Sequence, residues 1–307
     1  MQAGGERVAL ASFVVGSILA GGNAVGIRFS NRELAPLWGA GLRFSLAAAL
    51  LIAVMAALRL AFPRGRALAG AVVFGALNFG AAFALAYYAL VSMHAGFGQI
   101  LLALVPLATL LLAVVWRQER LRTGAVAGSV LALTGVALMS RAPLEQDVPP
   151  LSLLAAIGSA LCFAQAAVLV RRFPPVHPVT INALGMTTGG ALLVLGSIVA
   201  DEPIALPERA ATRAAIGYLV AVGSVVVFVL YLVVIRRWGA SRAAYTFVVI
   251  PFVTIVLSGW LDDEPVGPGL LLGGLLVLSG VYVGALRASP ATGFNPVGAR
   301  PFRGAEG

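Results

Sequence analysis

A displacement of 145 residues lays one stretch of this chain over another without a gap from Gly96 to Val281. Pro106 then falls on Pro251 and Glu119 on Glu264, while Gly124, Gly128 and Gly135 fall on Gly269, Gly273 and Gly280. Each copy is an apolar run broken by one Pro, a charged corner carrying Glu, and a second apolar run ruled by glycine. Duplication inside so apolar a chain points to a molecule assembled from two related halves.

At 60% hydrophobic and 11% charged residues, with a mean hydropathy of +0.97, the 307-residue chain is unlike an ordinary soluble domain. Ten apolar runs, near 8–27, 37–58, 67–89, 95–116, 123–140, 151–170, 179–200, 213–235, 242–261 and 267–286, match the roughly 20 residues that cross a hydrocarbon core. Lipid offers backbone groups no water, so these runs are read as helices; they lack the alternation a membrane strand needs. The expected fold is all-α and integral to the membrane. It comprises ten transmembrane helices as two five-helix repeats, residues 8–140 and 151–287, followed by a disordered cytoplasmic tail at 288–307. The net charge of +9 does not signal nucleic acid, because the basic residues, all Arg, lie scattered in short connections. Cys162 is the one cysteine, so no intrachain disulfide or cysteine metal cluster is expected. The first apolar run is too long, and too embedded in the serial pattern, for a cleaved signal peptide.

With the N-terminus placed in the cytoplasm, 15 Arg fall on the inner side and 5 on the outer, leaving Arg43 inside a span. Such a bias orients multi-pass proteins, and it supports an even number of spans across the cell inner (plasma) membrane, with both ends in the cytoplasm. Five spans per repeat is odd, so the two halves are expected to insert upside down relative to each other. Glu119 is then inner and Glu264 outer. Inverted halves suit a site that opens alternately to either side. Short loops leave no room for a soluble catalytic or receptor domain.

Those residues resemble the drug/metabolite transporter superfamily, in particular its EamA-type ten-helix permeases. The resemblance rests on Pro106, the corner Gln118-Glu119-Arg120-Leu121 and Thr134-Gly135-Val136. It rests equally on Gly239-Ala240-Ser241, Pro251, Glu264-Pro265-Val266 and Ser279-Gly280-Val281, with Gly22-Asn23 and Leu42-Arg43-Phe44 early in the chain. Two departures are Gly21, where the family has Trp, and a second repeat without a matching Asn. The resemblance implies secondary transport of small metabolites, often amino acids or related compounds and commonly outward.

Among candidate functional residues, Pro106 and Pro251 sit mid-span, where a missing amide hydrogen kinks a helix and frees a carbonyl for gating or cavity lining. Each glycine trio forms a stripe on one helix face, which favours close packing against its counterpart or against a second copy in a homodimer. Arg43 is the formal charge clearly inside a span. It reads either as a cavity cation for a substrate carboxylate or phosphate, or as a snorkelling or structural group near Asn23. Asn23, Asn78, Gln99, Asn182 and Thr187 are in-span polar groups that line a cavity or bond between helices. Tyr87, Tyr88 and Tyr245 are further cavity candidates, and Trp38 is an interface anchor. His94 and His177 are read as loop residues; two distant His and one Cys make no metal site, and no cofactor is implied. No carboxylate lies mid-span, which argues against a proton-driven pump for bulky cations. The spans hold no metalloprotease motif, carboxylate pair or Gly-x-Ser-x-Gly, which disfavours a membrane-embedded enzyme. The expected function is a permease, exporting small polar metabolites by alternating access; the alternative is a non-transporting assembly or sensor protein. The expected partners are the lipid bilayer and a small-molecule substrate.

Overall fold

The computed structural model describes residues 2–117, 123–139, 148–238 and 246–283. The first half comprises α1 (Gln2–Asn31), α2 (Pro36–Ala57), α3 (Arg66–Gly75), a π-helix π1 (Ala76–Ala81), α4 (Ala82–Ser92), α5 (Ala95–Leu102), α6 (Val105–Val115) and α7 (Thr123–Met139). The second comprises α8 (Pro150–Val170), α9 (Pro178–Val199), α10 (Ala210–Gly217), a π-helix π2 (Tyr218–Val226), α11 (Val227–Trp238), α12 (Thr246–Leu261) and α13 (Pro268–Val281). Among the described residues, seven continuous helical stretches are long and apolar enough to cross a membrane, and three shorter ones, Val126–Leu138, Val249–Leu261 and Pro268–Val281, fall at the remaining positions of the ten expected runs.

Local chemistry sets the ends. Pro36, Pro150, Pro178 and Pro268 each open a helix, where a fixed φ fits and the missing N–H would have had no partner. Arg59, Arg117, Asp201 and Asp263 carry positive φ beyond helix C-termini. Gly would adopt that geometry without strain; these charged residues instead keep each end out of lipid.

The side from which α1 starts is here the near side, and the side where it ends the far side. Near its far end, Arg28 donates to the Met93 carbonyl at 2.5 Å, and Ser92 and Ser152 hydroxyls meet at 2.8 Å. The first helix of the second half, α8, therefore begins where α1 ends. The halves are inverted. Packing repeats under the same exchange: α2 lies along α9, α7 along α13, α1 against α12 and α6 against α8.

The glycine stripes show the symmetry at atomic scale. A Cβ added to Gly135 would lie 2.5 Å from the Gly273 carbonyl oxygen, and one added to Gly280 would lie 2.5 Å from that of Gly128. These contacts interconvert under the 145-residue shift, with donor and recipient halves swapped. At Gly135 and Gly280 the counterpart helix occupies this face. Gly124 and Gly269, near the helix starts, are half-buried.

Candidate functional site

Between the halves lies a cavity of about 680 Å³, within the size range of small-molecule sites. Its lining reaches the near-side turns of several helices at Ser12, Thr109, Arg171, Val234 and Thr246. Deeper in, Asn23, Arg43, Asn78, Gln99 and Pro106 all line it.

Two departures from regular helix shape this chamber. The span containing Pro106 is locally distorted: α5 ends at Leu102, Ala103 and Leu104 form a turn whose φ and ψ stay in the right-handed helical region, and Pro106 stands in the first turn of α6. Pro106 has no amide hydrogen for the Leu102 carbonyl, and Leu102 also lines the cavity. Pro251 behaves differently from the expectation. It is buried within a continuous α12 and is absent from the lining, so the equivalent proline neither breaks its helix nor faces the chamber. The second departure is the pair of π-helices, which occupy overlapping positions under the 145-residue shift and face the cavity with Asn78 and Phe79 from π1, and Gly223 and Ser224 from π2. A π turn adds a residue and re-aims everything beyond it, which is why such turns gather at functional sites.

Arg43 is only 2% exposed yet lines the cavity. Its Nε donates to Ser224 Oγ at 3.3 Å and its Nη2 to Asn23 Oδ1 at 3.4 Å, while Nη1 has no hydrogen-bond partner. The guanidinium carbon stands 4.9 Å from the Phe44 ring centre and 5.1 Å from that of Phe83. Cation–π attraction holds it in place without neutralising it. Phe83 in turn meets Phe44 at 4.6 Å and Phe163 at 5.3 Å, and Phe79 meets Phe44 at 5.3 Å. All four rings line the cavity.

On the far side, three carboxylates reach across the halves to helix N-termini, Glu264 and Glu202 from the second half and Glu33 from the first. Both Glu264 oxygens accept from Ala95 N at 2.9 Å; Glu202 accepts from Leu37 N at 3.2 Å and Trp38 N at 2.8 Å; Glu33 accepts from Glu208 N at 2.5 Å and Arg209 N at 3.2 Å. Anions are favoured at helix N-termini, where amides lack partners and the dipole is positive. Arg28 adds ion pairs to Asp262 at 2.8 Å and Glu264 at 2.7 Å, and Arg32 pairs with Asp262. Hydrogen bonds from the Thr212 hydroxyl and then the Glu208 amide hold the Glu33 carboxyl below its ordinary range. None of these clasping residues lines the cavity.

Other candidates lie elsewhere. Tyr87 is fully buried in the core behind the lining. Tyr88 is 44% exposed, on an outer apolar dent with Leu85 and Leu154. Asn182 is buried and donates to the Pro178 carbonyl at 2.9 Å, and Thr187 is exposed and donates to that of Ala183 at 2.8 Å. Both donate within α9, while Asn182 Oδ1 has no hydrogen-bond partner; among the described residues this helix contributes nothing to the lining, its glycines packing on α3 and π1 at Gly185 and Gly189 and on α2 at Gly190. Tyr245 lies outside the described residues. Trp38 donates its indole N–H to the Ala205 carbonyl at 2.6 Å, tying α2 to the connection before α10.

The profile of the EamA-like transporter family matches residues 7–141 and 150–286. The chain belongs to this family. Among similar proteins, Uncharacterized transporter YvbV of Bacillus subtilis (strain 168) is 28% identical over 54% of this chain and 55% of its own length, so the chain spans little more than half of that relative. The Probable terminal-alkyne amino-acid exporter of Streptantibioticus cattleyicolor is 28% identical over 72% of this chain and 74% of its own length. A protein of known crystal structure has the same fold, with a TM-score of 0.65 and 20% identity over 94% of this chain and 98% of that one. As an EamA-like transporter, then, the chain is a multi-pass membrane protein. Its cavity includes residues that sequence reasoning did not single out as cavity candidates: Ser224, Arg171 and the phenylalanines. A signal for the phenylalanines existed in Phe74, Phe79 and Phe83, whose spacing of five and then four residues fits one helix face once π1 inserts its extra residue.

Proposed function

We propose that this EamA-like transporter is a secondary permease, carrying small metabolites with a carboxylate group, amino acids among them, outward by alternating access. The single observation that carries the reading is the cavity at the interface of inverted halves, reaching the near side while cross-half clasps cover the far side. In this reading Arg43 anchors the carboxylate, Asn23 and Ser224 orient the guanidinium, and the clasps are the closed outer gate. The excess of Arg in near-side connections supports placing that side in the cytoplasm, with the cavity facing the cell interior to load solute for export. The exporter named above supports both the substrate class and the direction.

Purified protein in vesicles is expected to catalyse saturable exchange of labelled carboxylate-bearing solutes above protein-free vesicles. No flux for any member of a panel of acidic, neutral and basic amino acids and simple carboxylates would overturn the transport reading. In cells, overexpression is expected to lower, and deletion to raise, the internal level of the transported solute.

A further inference from the structure

The deep cation of the cavity, Arg43, has no Asp or Glu among the described lining residues to balance it. Its two hydrogen-bond acceptors are neutral and stand beyond the usual 2.7–3.2 Å range for N–H···O bonds. The buried Tyr87 hydroxyl beside it is neutral as well. A buried guanidinium with an unsatisfied N–H is a costly arrangement unless something supplies the missing acceptor and charge. A carboxylate does both, since its two oxygens match the guanidinium fork. Around this cation the wall is apolar and aromatic, built from Phe44, Phe79, Phe83 and Phe163.

This combination separates substrates more finely than the reading above, on which it rests. An α-amino acid brings an ammonium within one carbon of its carboxylate. That ammonium would enter the field of Arg43, with no described carboxylate to receive it. A simple monocarboxylate brings only the charge the site lacks. A phosphate monoester brings close to two negative charges into a chamber whose one deep cation is Arg43. We propose that the preferred occupant is a net-anionic monocarboxylate with an aromatic or branched apolar body, selected over the zwitterionic amino acid of the same shape. Arg43 sets the charge rule, and the phenylalanine wall sets the body.

Three solutes with one phenylethyl body test this: 3-phenylpropanoate (carboxylate only), phenylalanine (carboxylate and ammonium) and phenethylamine (ammonium only). Binding to detergent-purified full-length protein is read by ligand-induced rise in melting temperature and by titration calorimetry. Exchange is read in vesicles with protein-free leak subtracted. The expected order is 3-phenylpropanoate at least tenfold tighter than phenylalanine, with phenethylamine not bound. Arg43→Lys is expected to retain the preference for the anion, and Arg43→Gln to abolish it. Phenylalanine binding as tightly as 3-phenylpropanoate, or Arg43→Gln leaving the order intact, would overturn the proposal. The wild-type comparison stands even if a variant does not fold. Exchange of phenylalanine in preference to the anion would sink this selectivity while leaving transport standing. Tight binding of 3-phenylpropanoate with no exchange of any solute would sink transport while supporting the anion rule.

Discussion

Neutralising Glu264 should open the far side. Its side chain is 5% exposed, receives the Ala95 amide hydrogen between both oxygens at 2.9 Å, and pairs with Arg28 at 2.7 Å. Glu264→Gln keeps an acceptor but removes the charge. Hydrogen bonds to charged groups contribute about 1.5–3 kcal/mol against about 0.5–1.5 for neutral ones, so the amide contact loses roughly 1 kcal/mol. The helix N-terminus adds about 0.3–1 kcal/mol of lost charge–dipole attraction. Weakening of the partly buried Arg28 pair adds roughly 1–2 kcal/mol, because Arg28 retains Asp262. The closed arrangement is thereby destabilised by about 2–4 kcal/mol, which raises the ratio of far-side-open to far-side-closed molecules by roughly 30- to 1000-fold. The readout is a cysteine at Ile27, a lining position toward the far end of α1, in a Cys162→Ala background. A membrane-impermeant thiol reagent applied to the outside of cells should label it at least 30-fold faster in Glu264→Gln, until reaction saturates. Asp263→Asn, at the exposed neighbouring position, should leave the rate unchanged. Equal labelling in Glu264→Gln and wild type would refute the assignment of this clasp as a gate.

Gly135→Ala places a methyl 2.5 Å from the Gly273 carbonyl oxygen, a backbone atom that cannot swing aside. It should cost about 1–3 kcal/mol and lower the melting temperature. Gly217→Ala, where nothing lies within 4 Å, should be neutral or stabilising by up to about 1 kcal/mol in the same thermal assay. Arg43→Met should abolish carboxylate binding yet leave the fold as stable or up to about 2 kcal/mol more stable, because it removes a poorly compensated buried charge; a marked fall in melting temperature would make Arg43 a structural residue instead. Glu33 has a lowered folded-state pKa, so its contribution to stability is complete above its ordinary value and is lost as pH falls through the lowered one. The melting temperatures of wild type and Glu33→Gln should therefore differ at pH 7 and converge on acidification.

Hydropathy and self-similarity made the ten spans, their duplication and their inversion legible, because lipid dictates run length and an odd span count dictates orientation. Arg43, Asn23, Asn78 and Gln99 were legible as polar atoms in apolar runs, and the structure places them on one chamber. Asn182 and Thr187, read by the same logic, stand outside that lining and donate to carbonyls four residues back in α9. Tyr88 was misleading for a related reason: its neighbour Tyr87 faces inward, and a single sequence gives no rotation angle for a helix that contains a π turn. The clasps were illegible because Glu33, Glu202 and Glu264 acquire meaning only when the two halves dock. Glycine spacing announced close packing but left open the partner helix, which a contact between backbones decides.

One molecule here displays a repeated proline in two shapes. Just before Pro106 the rod is bent by a two-residue turn, and around Pro251 it runs without one, although the surrounding sequences share one pattern. In the alternating-access reading proposed above, trading those shapes between the halves under the molecule's own twofold relation would turn the vestibule to the other face. On that reading the straight rod at Pro251 is a template for the other shape of the segment around Pro106, and the bent one for the segment around Pro251.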